Sequence, residues 1–245
     1  MEASVASLRI AAAHGRPLTP AGARLMEVPE PLVPLFPEGG IRRGIIMAVG
    51  PLSGGCSLSL ALAGTLTGRG GWAAAVGMPS LGLVAAAELG VDLRRLALVP
   101  DPGGHWPAVV AALVDGFDLI LLRPLARVRP ADARRLAARV RERGAVMVVV
   151  GTPGWPESAD IRLSAGPSVW EGLGAGHGLL QARRMEVVAA GRRIGGRERR
   201  RWIWLPAPGG GLAAAAGDPV AGGSADVRLE AVDRPPSPVA LEVAG

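Results

Sequence analysis

The chain has 245 residues, of which 49% are hydrophobic and 3% aromatic, with a mean hydropathy of +0.31 and a formal net charge of +6. That length suits one medium domain with tails, and the apolar share is enough for a core built mainly of alanine, leucine and valine. The single cysteine excludes an internal disulfide, no apolar run reaches the roughly 18 to 20 residues of a bilayer span, and no secretory pattern opens the chain, so a cytoplasmic protein is expected.

In chain order, residues 1–15 suit a short helix and the proline-rich 17–38 an extended arm. From Gly44 a regular alternation begins. "IIMAV" (45–49) predicts a buried strand, a glycine loop follows, and "CSLSLALAGTL" (56–66) predicts a helix. "WAAAVG" (72–77), "RLALV" (95–99), "FDLILL" (117–122) and "AVMVVV" (145–150) predict further strands. Between them, helices are expected over 80–90, opened by Ser80 and stopped by Gly90, over 106–116, and over 130–144. Strands this apolar, separated by helices, indicate an α/β fold with a mainly parallel sheet covered on both faces. "ADIRLSA", "HGLLQARRMEVVAA" and "RRRWIWLP" then predict an antiparallel C-terminal extension. The expected organisation is an N-terminal helix and arm over 1–38, a core domain over 39–205, and a disordered tail over 206–245 rich in glycine, alanine, proline and acids.

Charge is unevenly placed. All 27 basic residues are arginine, and the segments 123–143 and 183–201 each hold eight of them against two acids. The tail from 206 carries a net −3, leaving +9 on the rest, a balance compatible with nucleic acid or an acidic partner.

The sharpest local signal is "GPLSGGCS", residues 50–57. It matches G-x-x-x-x-G-K-[ST] except that Cys56 stands in the lysine position. Gly50, Gly54 and Gly55 would let backbone N–H groups face a phosphate, and Ser57 could ligate Mg²⁺. Cys56 cannot neutralise the β- and γ-phosphates as lysine does. Small residues packed at a strand–helix junction are the plainer alternative.

The surrounding segments resemble the RecA family. "GGIRRGIIMAVGPLSGGCSLSLAL" is similar to its glycine-rich lead-in, first strand and phosphate loop. "VGMPSLGLVAAAELGVDLRRLALVPD" resembles the run from its second strand to the next, and "DGFDLILLRPLARV" its Walker B strand. The resemblance covers about 39–150 well and 159–205 more loosely. It implies a RecA-like core in which the catalytic positions have changed: the loop lysine to Cys56, the water-activating acid to Met78, and the Walker B aspartate to Arg123. A metal-bound phosphate needs negative charge beside the ion and a base beside the water. The resemblance therefore implies a non-hydrolysing protein with no catalytic residues and no required cofactor, Gly50, Gly54, Gly55 and Ser57 being a vestigial ATP/Mg²⁺ site. "RPADARRLAARVRERGAVMVVVG" and "WEGLGAGHGLLQARR" further resemble the ImuA-type accessory proteins. That resemblance implies damage-induced mutagenesis, in partnership with an inactive Y-family polymerase homologue and an error-prone replicative polymerase during translesion synthesis, near DNA in the nucleoid.

Other readings stand beside this one. A DNA-dependent ATPase would need a base and an acid from elsewhere, such as Glu88 or Asp101. A DNA-binding module without ATPase activity would use Arg127 and Arg129 after the Walker B strand, and Arg197, Arg199, Arg200 and Arg201 leading into Trp202 and Trp204. Alternatively the tryptophans pack on the core while a turn exposes the arginines. The helix 130–144 sets Ala133, Leu136, Ala137 and Val140 on one face and arginines around the rest, as a basic surface or an ordinary solvated one. His14, His105 and His177 have no metal-binding spacing, so no metal site is expected.

Overall fold

The computed structural model describes residues 24–50, 52–124, 127–151, 155–156, 159–173 and 177–216. The helix expected over 1–15 and, of the tail expected over 206–245, residues 217–245 with "PVALEVAG" lie outside them, whereas 206–216 are described and include a short strand, Ala213–Ala214.

The extended arm expected up to residue 38 is, from residue 24, a packed layer. Leu25–Glu27 (β1) pairs antiparallel with Gly40–Arg42 (β2), and a 3₁₀ helix over Glu30–Leu35 lies between them. Pro29 and Pro31 occupy the start of that helix, where a missing N–H costs nothing and a fixed φ helps. Leu32 and Leu35, three apart and so on one face of a 3₁₀ turn, are fully buried together with Met26, Phe36 and Ile41. Proline density marked this segment as irregular; its apolar residues make it part of the core.

The alternation follows: Ile45–Gly50 (β3), Leu52–Gly68 (α1), Ala73–Val76 (β4), Leu83–Glu88 (α2), Leu96–Val99 (β5), Trp106–Val114 (α3), Leu119–Leu122 (β6), Pro130–Arg143 (α4) and Val146–Val150 (β7). After it come Ile161–Leu173 (β8), Gly178–Ala190 (β9), Arg199–Trp204 (β10) and Ala213–Ala214 (β11). One nine-stranded sheet holds them in the order β11-β10-β9-β8-β3-β7-β6-β4-β5. From β8 to β5 neighbours run parallel, and from β8 outward to β11 they run antiparallel. The α/β sheet with an antiparallel extension is thus the observed architecture.

Strand periodicity divides the core in two. Met47, Val49, Ala75, Leu119, Leu121, Val146 and Val148 face α1, α2 and the N-terminal layer. Ile46, Ala74, Val76, Ile120, Leu122, Met147 and Val149 face α3 and α4. Each fully buried Leu, Ile, Val or Met contributes about 1.5–3 kcal/mol. Helix α4 buries Ala133, Leu136, Ala137 and Val140, as its pattern predicts, and Gly144 at φ +69° ends it in the left-handed region. Arg139 and Arg143 both pair with Asp115 at the end of α3, while Arg134, Arg135 and Arg141 face solvent.

Topology places the candidate site. The chain leaves β3 toward β4 on one side and leaves β7 toward β8 on the other, so the loops diverge at the carboxyl ends of β3 and β7. Open α/β sheets bind ligands in the crevice at such a point. The residues after β3 and after β6 both lie along this edge, with β7 between their strands.

Candidate functional site

The glycine-rich segment does not form the expected loop. Strand β3 runs to Gly50 and α1 begins at Leu52, so Gly54, Gly55, Cys56 and Ser57 are already helical. A phosphate cradle needs those first residues to wrap around an anion before the helix starts. Here the glycines serve close packing. A side chain at Gly54 would meet Met185 Cε at 2.8 Å and Ala165 Cβ at 2.9 Å, and one at Gly55 would press on the Val49 carbonyl at 3.2 Å. Gly50 has no atom within 4 Å of the corresponding position. The Ser59 hydroxyl, one turn on, donates back to the Gly55 carbonyl at 2.7 Å.

The three changed positions differ in environment. Met78 is buried in the core on the α1 side, so the place of the water-activating acid is filled by apolar packing. Arg123 follows β6, its amide held by the Val76 carbonyl at 2.9 Å and its side chain half-buried. Cys56 is half-buried against the same core as Met78. Burial pushes the Cys56 thiol up, and the nearby Arg123 guanidinium opposes that shift. The RecA resemblance sets Arg123 opposite a metal-binding carboxylate and Cys56 opposite a phosphate-binding lysine, so under that resemblance the site lacks the family's negative charge at one position and its positive charge at the other. Glu88 is exposed at the end of α2, and Asp101 accepts the Gly103 amide at 2.9 Å within its own turn. Among the described residues, no group of three His, Cys, Asp or Glu side chains could hold a metal ion.

The arginines expected to meet nucleic acid fall into two separate groups. Arg127 and Arg129 line one cavity of about 400 Å³ beyond β5 and β6, which Arg123 also lines. Arg199, Arg200 and Arg201 open β10, five strand positions from β6, or about 24 Å at the usual strand spacing. Arg199 donates to the Pro34 carbonyl at 3.2 Å, and Arg200 pairs with Glu186 and Glu198. Arg197 and Arg201 are exposed and make no ion pair among the described residues. Trp202 and Trp204 lie on the sheet face opposite buried Ile203, half-buried rather than in the core. The Arg184 guanidinium sits over both rings, at 5.7 and 6.0 Å from their centroids.

Two charged residues were not singled out from the sequence. Arg183 is buried beside Gly54, donates from Nε to the Leu205 carbonyl at 2.9 Å, and stacks on Trp170 at 5.3 Å. Burial holds its guanidinium below the usual arginine range. Its signal was strand phase, since 183, 185, 187 and 189 share the inward face of β9. Asp118 is wholly buried, accepting Arg43 Nη1 at 2.9 Å and the Trp72 amide at 3.1 Å. An acid inside "FDLILL" was the visible clue, but its partner lies 75 residues away.

Sheet order, loop placement and the antiparallel extension define a RecA-like fold. In solved structures, the RadB recombinase is similar to this chain at 16% identity, with a TM-score of 0.52 over 76% of this chain and 97% of that one. Within that fold the chain belongs to a particular family: residues 34–157, half of its length, match the model of the MT3502 N-terminal domain. The uncharacterized protein Rv3395c of Mycobacterium tuberculosis (strain ATCC 25618 / H37Rv) is 46% identical over 118 residues, 48% of this chain and 57% of that protein. The match therefore spans little more than half the length of that relative.

Proposed function

We propose that this protein is a non-hydrolysing RecA-like accessory factor of a DNA-damage-induced mutagenesis complex. In this reading it works by protein contacts with an inactive Y-family polymerase homologue and an error-prone replicative polymerase, in the nucleoid when DNA is damaged. The observation that carries the non-enzyme half is Arg123 beside Cys56, where a metal carboxylate and a phosphate-binding lysine would be needed. The early start of α1 and the burial of Met78 support it. The partner half rests on the ImuA-type resemblance of the sequence. The test of catalysis is Mg²⁺-dependent ATP turnover by the purified protein, with and without single-stranded DNA. No turnover above that of Ser57→Ala is expected, and turnover that Ser57→Ala abolishes overturns the reading. The test of partnership is co-purification of the full chain with the two polymerase homologues; failure to associate with either removes that half.

Direct DNA binding is a second reading, favoured by the exposed Arg197 and Arg201. Fluorescence anisotropy on labelled single and double strands across a salt series tests it. Affinity falling steeply with salt supports it, and a flat weak signal opposes it.

A further inference from the structure

We infer that the cavity beyond β5 and β6 is a binding site for the phosphate monoester of a single nucleotide, separate from the altered loop after β3. It goes beyond the accessory reading and does not depend on it. The cavity, about 400 Å³, lies within the range of small-ligand sites. Its charged lining is Arg123, Arg127 and Arg129 with Asp101 and Asp132. Trp106 supplies an aromatic wall and packs only partly against the core.

Three features distinguish this place from a solvated basic surface. First, the arginines converge on one concavity from two elements, Arg123 fixed at the end of β6 and Arg129 at the start of α4. Second, among the described residues none of the three guanidinium groups makes an ion pair or side-chain hydrogen bond. By contrast Arg139, Arg143 and Arg200 elsewhere are each paired with acids. Third, the acids present do not neutralise them: Asp101 is engaged by the Gly103 amide, and neither it nor Asp132 pairs with an arginine among the described residues. Unpaired guanidinium forks match phosphate oxygens bidentately. A monoester, with a charge between about −1.5 and −2 at neutral pH, uses such a cluster better than an internal phosphodiester carrying one. The indole of Trp106 offers a face on which the base can stack.

The experiment is calorimetric titration and tryptophan fluorescence on the full chain at low salt. The probes are inorganic phosphate, thymidine, thymidine monophosphate, and a short oligothymidylate with either a 5′-phosphate or a 5′-hydroxyl. Thymidine monophosphate is expected to bind saturably and thymidine not. Arg127→Ala with Arg129→Ala, both exposed, is expected to weaken binding about tenfold or more, without changing thermal unfolding. Trp106→Phe is expected to remove the fluorescence response while calorimetric binding persists. Preference for the 5′-phosphorylated oligonucleotide over the free nucleotide identifies a strand end as the source, and the reverse identifies a free nucleotide. Equal binding of thymidine and its monophosphate, equal binding of both oligonucleotides with none of the nucleotide, or indifference to the double arginine variant overturns the inference. The same double variant is expected to retain its polymerase partners, so either proposal can fail while the other stands.

Discussion

Arg123 and Cys56 influence each other at the end of the sheet, and the influence has a measurable sign. Burial raises the thiol's pKa because it disfavours the thiolate, while the guanidinium stabilises that anion and lowers it. Removing the cation must therefore move titration upward. Arg123→Gln is expected to shift the pH profile of Cys56 alkylation to higher pH than in the parent protein, and coincident profiles would show that the two groups do not interact. Because the folded thiol titrates above the unfolded one, its contribution to stability holds below the unfolded pKa and is lost as pH rises through the folded value. A larger effect belongs to Asp118, which is buried against Arg43 and the Trp72 amide. Asp118→Ala removes a buried carboxylate on which the mostly buried Arg43 guanidinium and the Trp72 amide converge, and is expected to cost about 3–5 kcal/mol in urea unfolding. Arg43→Met combined with Asp118→Leu should cost clearly less, because both charges leave the interior together. At this scale the sequence showed which positions had changed chemistry but not what surrounds them. Cys56 stood out by motif spacing and Met78 and Arg123 through the RecA resemblance, whereas the Asp118–Arg43 pair depends on contacts between distant segments.

The element most altered by tertiary context is α1. Its motif was legible, but the motif's usual geometry did not follow, because Gly54 and Gly55 let the first turns lie against β3, β8 and β9. Substitutions separate a packing role from a phosphate-binding one. Gly54→Ala is expected to cost about 1–3 kcal/mol by crowding Met185 and Ala165. Gly64→Ala, whose added carbon would overlap the Leu89 carbonyl beside α2, should cost at least as much. Gly50→Ala, at a position with open space, is expected to stay within about 1 kcal/mol of the parent, on either side. Thermal unfolding of the three variants orders them; a phosphate cradle with no packing role would not give this order. The central strands were readable because both faces are buried, so each is continuously apolar. The outer halves of β8 and β9 were less readable. Leu173, Leu179 and Leu180 there are exposed, and without a buried face the two-residue alternation gives no guide to strand length.

For the whole molecule, composition indicated a single α/β core and chain order indicated its RecA-like layout, but composition misplaced the edges of that core. Proline suggested an arm where Leu32, Leu35 and Phe36 are buried. Glycine and alanine suggested a tail from 206, although the chain remains packed well beyond that point. The Pro206 carbonyl accepts the Arg183 amide at 2.9 Å, Ala207 is buried, and Ala213–Ala214 pairs with β10. Local composition cannot register such contacts, because small residues are buried here by partners supplied from β9 and β10. The consequence is a prediction about truncation. A chain ending at residue 205 loses the Pro206 carbonyl that accepts the Arg183 amide and the Ala215 amide that donates to the Trp202 carbonyl at 3.1 Å, along with strand β11. At about 1 kcal/mol for each lost bond, with burial of Ala207 added, its urea midpoint should fall by the equivalent of about 2–4 kcal/mol. A chain ending at residue 216 keeps all of these contacts and should unfold at a higher midpoint than the chain ending at 205. Equal midpoints for the two truncations would mean that residues 206–216 contribute nothing to the sheet. If only the shorter chain is destabilised, association assays with the polymerase homologues must use the 216 version, so that lost binding is not mistaken for lost folding.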